Sequence, residues 1–587
     1  MDIGKLIKLV RILVYATAAL GIAALLIFLA LGDSRDPSYF YGTLAALPLF
    51  GLSIFLHYRL GRLKDLRFIR QQWGKVLERK RNFDNISLYH RFCPHLPGKA
   101  PVDDTTWQDL NMNELYTRID RTLTGPGEGV LYQILRTPCT GESLPELRRR
   151  DEIISVLQQD AKTREALQMA LLRLGRDKDH TLTRLLWEPL PDKPTLTFIY
   201  SLLALVALLS LTAPIFLGTP GLSLVMLAFS LNSLVHYQVR KRYSYHIPSI
   251  TSLSGLLRAA RSLTQANLPG LEPEQKQLRK GLAAARKLNR KLRALFLDSL
   301  KGSDAFFLIQ YVQILFLVEV RSFYGALAEI RGNLQALREL FTQVGALDAM
   351  QAVASYRVGL DHVKPEFCQE ACLKAVEIRH PLLENPVPNS IEIRNQGILI
   401  TGSNMAGKST FLRTLGVNAI LAQSLFICTA AAYTACFLQV CTSINKADDI
   451  SQQKSLYYAE AERLLKIIRP QPLSIPRLLL IDELLSGTNY TERLAASAAI
   501  LDYLKGQDAL VVVATHDLDL AESLGSAYLC YHFSDKVDKN NLGFDYTLKK
   551  GIATTRNAIK LLEYMGYPQE VIHGANSRFS PAAKGGK

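Results

Sequence analysis

The stretch Gly397 to Gln423, GILITGSNMAGKSTFLRTLGVNAILAQ, decides the fold of the C-terminal part of this chain. Its apolar run Ile398-Leu399-Ile400 predicts a buried strand, which stops at Gly402-Ser403-Asn404-Met405-Ala406-Gly407-Lys408-Ser409-Thr410. Beyond that point the apolar spacing becomes helical. Strand, glycine loop and helix start thus fall in the order a phosphate-binding loop needs. Glycines let backbone N–H groups curl round phosphate oxygens, the lysine adds a point charge on the terminal phosphates, and the Ser409 hydroxyl ligates Mg²⁺. A Mg²⁺-bound triphosphate is the expected ligand.

Two more motifs follow in the right order. Leu478-Leu479-Leu480-Ile481-Asp482-Glu483 reads as a buried strand that delivers Asp482 to the metal. Glu483, one residue on, is placed to polarise a water for attack on the γ-phosphate. Val511-Val512-Val513-Ala514-Thr515-His516 is a third strand, ending in an imidazole at the carboxyl edge of the sheet, where open α/β folds place their ligands. There His516 is either a γ-phosphate sensor or a structural histidine. Short β-prone runs alternating with helical stretches after Asp361 predict an α/β domain with a largely parallel sheet.

The 587 residues suffice for three or four domains, and the formal charge of +16 with a pI near 9.3 calls for a polyanionic partner, either nucleic acid or an acidic membrane surface. Eight scattered cysteines form no CxxC pair and read as reduced thiols of a cytosolic domain, although Cys368 and Cys372 are spaced to share a helix face.

Upstream, Val10 to Leu31 and Tyr39 to Leu60 are apolar runs near the roughly 20 residues needed to cross a bilayer, and they read as a hairpin. A cleaved signal peptide is the rival for the first run, but its apolar stretch is too long and a second span follows directly. Lys5, Lys8 and Arg11 precede the hairpin and Arg59, Arg62, Lys64, Arg67 and Arg70 follow it, so both ends are expected in the cytoplasm. Leu196 to Leu217 and Leu222 to Val239 form a second apolar pair closed by Arg240-Lys241-Arg242, with a pair of buried soluble helices as its rival. Phe306 to Val320 reads as a buried helix and not as a fifth span. Glu274 to Leu297 is a basic amphipathic helix that suits DNA phosphates, acidic lipid or a solvated outer face.

These motifs and their surroundings resemble the MutS family of DNA mismatch-repair ATPases, within the ABC class. Thr401 to Gly416 is similar to the family's phosphate loop, and Arg379-His380-Pro381-Leu382-Leu383-Glu384 to its lead-in. Thr442-Ser443-Ile444 to Asp448-Asp449-Ile450, with Ser455 and Glu460, is similar to its switch segment. Asp482-Glu483 to Gly487-Thr488-Asn489 and Ala514-Thr515-His516 match its acidic and histidine motifs, and Phe544 to Ala575 its C-terminal dimer helices. The likeness is strong over Asp361 to Ala575. It is weaker over Asp104 to Leu186 and over Gly325 to Arg357, which includes Val344 to Met350.

The resemblance implies ATP and Mg²⁺ as ligands. Gly402 to Thr410 would hold the nucleotide, Ser409 and Asp482 the metal, and Glu483 and His516 the chemistry. Ser455 would reach across a homodimer to the partner's nucleotide. Gln453, where the family commonly has glycine, and Leu456-Tyr457 after the serine depart from the pattern. No mismatch-reading domain and no Phe-x-Glu wedge is found at the front, where the apolar hairpin stands, nor is a clamp insertion evident.

The expected architecture is multidomain: a transmembrane helical hairpin (1–70), an all-α core (71–194 and 243–360) interrupted by a second transmembrane hairpin (195–242), and a C-terminal α/β P-loop ATPase domain (361–587). The leading functional expectation is a multi-pass protein of the cytoplasmic membrane, its ATPase domain cytoplasmic, coupling ATP binding and hydrolysis to DNA, with mismatched or branched DNA as candidates. The alternatives are a nucleotide-switched membrane scaffold and a transporter-type ATPase. A transporter predicts an LSGGQ-like signature, which is not found, and a polar path through spans that are nearly bare of charge.

Overall fold

The protein is described from a computed structural model, which covers the chain except residues 1–2, 178, 191, 193–196, 243–245, 292–310, 395, 403–405, 445–455, 470–474, 539–540, 553–561 and 580–587. It is mostly helical, with an α/β sheet region toward the C-terminus. Two compact units are built from interleaved segments. One comprises Met1–Lys80, Arg121–Glu128 and Val156–Ser355, the other Arg81–Asp120, Gly129–Ser155 and Tyr356–Lys587.

In the first, helical unit, the apolar runs at the front form helices Ile3–Ser34 and Ala46–Gln72. Ile7, Val14 and Leu60 close the seam between them with Val10, Leu56 and Leu63, and Ser53 Oγ donates to Val14 O across it at 3.1 Å. Much of the surface of their apolar stretches is exposed, with Leu20 59% and Ile54 65% exposed. Among the described residues, three helices are long and apolar enough to cross a membrane by length and composition: Ile3–Leu31, Tyr41–Gln72 and Thr219–Arg242.

The stretch Leu196 to Leu217, expected as one span, is instead a helix of 13 residues, Phe198–Ser210, followed by a separate short helix, Ala213–Leu217. Pro214 explains the break, because it lacks the N–H that a continuous helix would donate to Ser210 O and its ring crowds that carbonyl. The basic stretch from Glu274 is likewise two helices, Glu272–Ala284 and Arg286–Lys291, parted at Ala285. Leu278 and Leu288 are buried while Lys276, Arg279, Lys280 and Lys287 are exposed; residues 292–297 of that expectation lie outside the described residues. Of the expected buried helix Phe306 to Val320, residues 306–310 lie outside them too, Val320 is buried, and Tyr311 and Val312 are exposed.

The same unit has a polar centre. Asp348, fully buried, accepts from Leu123 N, Thr124 N, Thr124 Oγ1 and Gln351 Nε2 at 2.6–3.0 Å. Burial outweighs those donors and pushes its carboxyl up to about 6.

The second unit holds two sheets. A four-stranded sheet runs in the order β1 (Glu366–Phe367), β5 (Ala432–Ala435), β2 (Leu373–Ile378), β3 (Asn389–Ile393). The six-stranded sheet runs β10 (Asn541–Lys550), β9 (Tyr528–Asp538), β4 (Gly397–Thr401), β8 (Ala509–Thr515), β7 (Arg477–Asp482), β6 (Gln439–Ser443), and every neighbouring pair except β10 and β9 is parallel. Parallel central strands are covered on both faces, which is why β7 and β8 read as unbroken aliphatic runs. Leu399, Leu479, Ile481, Val511 and Val513 build one side of that core with Leu501 and Leu504.

Asp109 binds three elements of this unit together. Its fully buried carboxylate accepts from Thr442 Oγ1 and Ile444 N, both at 2.8 Å, and from Arg463 at 3.0 Å, while its carbonyl accepts from Arg413 Nε at 2.8 Å. Cys368 and Cys372 lie in the turn before β2 and not on a helix, with their sulfurs 3.1 Å apart and both thiols free.

Candidate functional site

Three stretches far apart in sequence end side by side at the carboxyl edge of the six-stranded sheet. Strand register sets Thr401 beside Thr515 and Asp482 beside Ala514, so the segments that follow β4, β8 and β7 emerge together. This is the edge at which parallel α/β sheets take their ligands.

The loop after β4 needs its glycines. Gly402 has φ +132° and a Cβ there would stand 2.6 Å from Phe533 O; Gly407 has φ +103° and opens the helix Lys408–Leu425 as its left-handed cap. Ala406 is buried beneath it. Lys408 is fully buried, and its Nζ donates to Gly402 O at 2.5 Å, so the ammonium points back into the turn of its own loop. Next to it, Ser409 Oγ donates to Asp482 Oδ2 across the two strands. Thr410 continues the first helical turn. Ser403, Asn404, Met405 and Ser455 lie outside the described residues.

Glu483 leaves β7 in a left-handed backbone conformation, φ +58°, with Leu485 at φ +52°. Such a conformation costs a non-glycine residue about 1–3 kcal/mol, and its neighbours hold it there: Glu483 N donates to Ala514 O at 2.8 Å. The turn swings the carboxylate to His516, with 2.8 Å between Oε1 and Nδ1. His516 also lies 3.6 Å from Asp517, which Arg493 holds through two contacts at 3.0 and 3.1 Å. The hydrogen bond to Glu483, opposed by partial burial, raises the imidazole pKa and favours its cationic form.

The structure therefore brings together Gly402, Gly407, Lys408, Ser409, Asp482, Glu483 and His516. Several neighbours had no signal in the sequence. Arg493 is one basic residue on an ordinary helix, and Tyr546, on β10, sets its ring 3.2 Å from where a Cβ on Gly407 would stand. Glu460 was legible only through the family likeness. It accepts from Ser486 Oγ at 2.5 Å and from Gly487 N at 3.4 Å, tying the helix Leu456–Ile468 to the turn after β7. Upstream, His380 is buried and driven down to about 4 by desolvation, then by Arg413 and Arg118, and its Nδ1 accepts from Leu382 N at 3.2 Å.

The groups present fit a Mg²⁺ ion and a triphosphate. Oxygen donors suit that hard cation, which keeps several waters and so needs only the Ser409 hydroxyl and the Asp482 carboxylate from the protein. The loop glycines take left-handed backbone and pass too close to Phe533 and Tyr546 for a side chain, which fixes the turn of the loop.

Residues 398–581 match the family model described as MutS domain V. DNA mismatch repair protein MutS of Thermus thermophilus is 30% identical over 257 residues, 43% of this chain and 31% of that protein. MutS of Methanosarcina acetivorans is 29% identical over 271 residues, again 43% of this chain, and 30% of the relative. DNA mismatch repair protein msh3 of Emericella nidulans is 26% identical over 277 residues, 44% of this chain and 25% of the relative. The chain thus matches about a third or less of the length of these curated relatives. The family model and the relatives fall on the part of the chain that carries the loop, acidic and histidine motifs at one sheet edge, and that part is similar to MutS domain V.

Proposed function

We propose that this protein is a membrane-anchored ATPase that binds and hydrolyses ATP at the edge of its six-stranded sheet and couples that cycle to DNA. The observation that carries the enzymatic half is the meeting of Lys408, the Ser409–Asp482 pair and the Glu483–His516 pair on neighbouring parallel strands. Relatives named as DNA mismatch repair proteins support the DNA half, as does the exposed basic face of Glu272–Ala284. Three long apolar helices with uncovered surfaces support the anchoring, since soluble monomers rarely leave such continuous apolar area in water. Both helix ends flanked by lysine and arginine would then lie in the cytoplasm. A homodimer with composite sites is part of the reading, with Ser455 as the residue that reaches the partner's nucleotide.

The chemistry follows from the pairings. Bound Mg²⁺, held by Ser409 and Asp482, would neutralise phosphate charge. Lys408 turns from Gly402 O toward the terminal phosphates. His516, whose cationic form Glu483 favours, is drawn to the incoming γ-phosphate, and its departure frees Glu483 Oε1 to accept a proton from the attacking water. The water oxygen bonds to the γ-phosphorus as the bond to the bridging oxygen breaks, and ADP leaves with that oxygen.

The test is turnover by the detergent-solubilised protein with and without duplex, branched and mismatched DNA. Lys408→Ala should lower turnover by about 10²–10³, the scale of losing one preorganised charge on the transition state. Unchanged turnover in that variant refutes the site. Turnover and binding indifferent to every DNA at low salt remove the DNA half and favour a nucleotide-switched scaffold.

A further inference from the structure

The helical unit contains a cavity of about 1790 Å³. Pockets for drug-sized ligands run to about 300–1,000 Å³, so this one suits a larger molecule. Its wall changes character from one part to another. Val14, Ile54, Phe55 and Leu60, from the two helices of the front hairpin, make an apolar face. Arg62 and Lys64 line it where the second of those helices leaves its apolar stretch, and Arg240 where the third long apolar helix ends; Arg258 and Arg261 come from the helix His246–Gln265.

Among the described lining residues seven lysines and arginines face four aspartates and glutamates. The acids are partly engaged. Asp177 accepts from Thr181 N at 2.6 Å and Glu319 stands 3.3 Å from His236. On the basic side Arg173 donates to Tyr58 and Arg176 pairs with Glu128 at 3.4 Å. The side chains of Arg62, Lys64, Arg240 and Arg261 have no hydrogen bond or ion pair among the described residues. Four cations without a partner among the described residues stand beside an apolar wall, three of them toward the ends of helices long enough to span a bilayer and Arg261 on the helix that follows, and together they are complementary to an anion that carries hydrocarbon.

We propose that this cavity binds an anionic phospholipid, its phosphate among Arg62, Lys64, Arg240 and Arg261 and its acyl chains along the Val14–Ile54–Phe55 face. The inference rests on the membrane anchoring proposed above and goes beyond it by assigning a selective site instead of a general surface.

The probe is phosphatidylglycerol, added to the full-length protein in a neutral detergent, with thermal unfolding as the readout. Phosphatidylglycerol should raise the midpoint by a few degrees, while phosphatidylcholine and inorganic phosphate at matched concentration should not. An equal shift from phosphatidylcholine, or a shift from inorganic phosphate alone, overturns the proposal. The combined variant Arg62→Gln, Lys64→Gln, Arg240→Gln, Arg261→Gln should lose the shift and keep basal ATP turnover; a retained shift overturns the proposal equally. Should that variant not accumulate, Arg240→Gln and Arg261→Gln singly must each reduce the shift. Carbonate extraction separates the two readings. Release from membranes by carbonate defeats the anchoring itself, whereas a protein that stays in the membrane, turns over ATP and treats the two lipids alike defeats the lipid site alone.

Discussion

Asp348 in the helical unit and Glu483 at the edge of the six-stranded sheet are both carboxylates anchored by hydrogen bonds, but their surroundings differ in kind. Asp348 is fully buried, its partners are backbone N–H groups, a hydroxyl and an amide, and none of them titrates near neutrality. Glu483 sits on left-handed backbone and its partner is an imidazole that changes charge in the physiological range. Asp348, whose carboxyl is raised by burial, is the architectural one of the two. A raised pKa does not by itself mark chemistry here, and strained backbone with a titratable partner is the better guide.

The largest effect that separates them is on rate. Glu483→Gln should cut ATP turnover by about 10²–10⁴, the usual worth of a general base, with nucleotide binding retained. Single-turnover kinetics beside a nucleotide-binding titration check it, and parental turnover would return Glu483 to the class of structural acids. Asp348→Ala should act on stability instead. It strands several buried donors at about 1–3 kcal/mol each, so a loss of about 3 kcal/mol or more is expected, read as a lower unfolding midpoint. A neutral Asp348→Ala would show the buried network to be dispensable.

The pH dependence sharpens the contrast at slightly smaller scale. Asp348 titrates near 6 when folded against 3.8 unfolded, so the folded state holds the extra proton between those values. Its contribution is fully present below 3.8 and disappears as pH rises through 6, a difference of about 3 kcal/mol. His380 runs the opposite way. With the folded value near 4 against 6.5, its contribution is present above 6.5 and is lost as pH falls through 4, again about 3 kcal/mol. Unfolding followed from pH 7 to pH 4 in Asp348→Asn and His380→Gln should show the two slopes removed separately; a slope unchanged in either variant rules out that assignment. The smallest expected change is in Arg493→Ala, which frees Asp517 beside His516. Turnover should fall about threefold to tenfold, the scale of a ~1 kcal/mol positioning contact, and the pH optimum should move. A slower rate with an unmoved profile would leave Arg493 a purely structural residue.

Much of the sheet edge was legible because it is local. Gly402, Gly407, Lys408 and Ser409 lie within one turn of chain, and Asp482-Glu483 and Thr515-His516 each close an aliphatic run, so strand ends and polar tips can be read together. Pro214 was equally visible, yet apolar composition alone suggested a full span from Leu196 to Leu217, and the two-helix break followed from backbone geometry. Asp109 and Tyr546 gave no sign. Asp109 belongs to a helical stretch remote in sequence from the strand end it anchors at Thr442 and Ile444. Tyr546 reaches Gly407 only because β10 folds back beside β9.

The chain's own pattern determined which residues are suited to phosphate and metal, since hydroxyl, ammonium and carboxylate chemistry is carried by residue type and by spacing within a turn. It also determined which stretches are apolar enough for a bilayer, but not that the one from Leu196 to Leu217 breaks into two short helices. Only the folded chain decided that β4, β8 and β7 lie next to one another, that His516 rests on Glu483, and that basic residues from three helices line one cavity. These are meetings of distant segments, set by strand order and side-chain packing, and no local spacing encodes them.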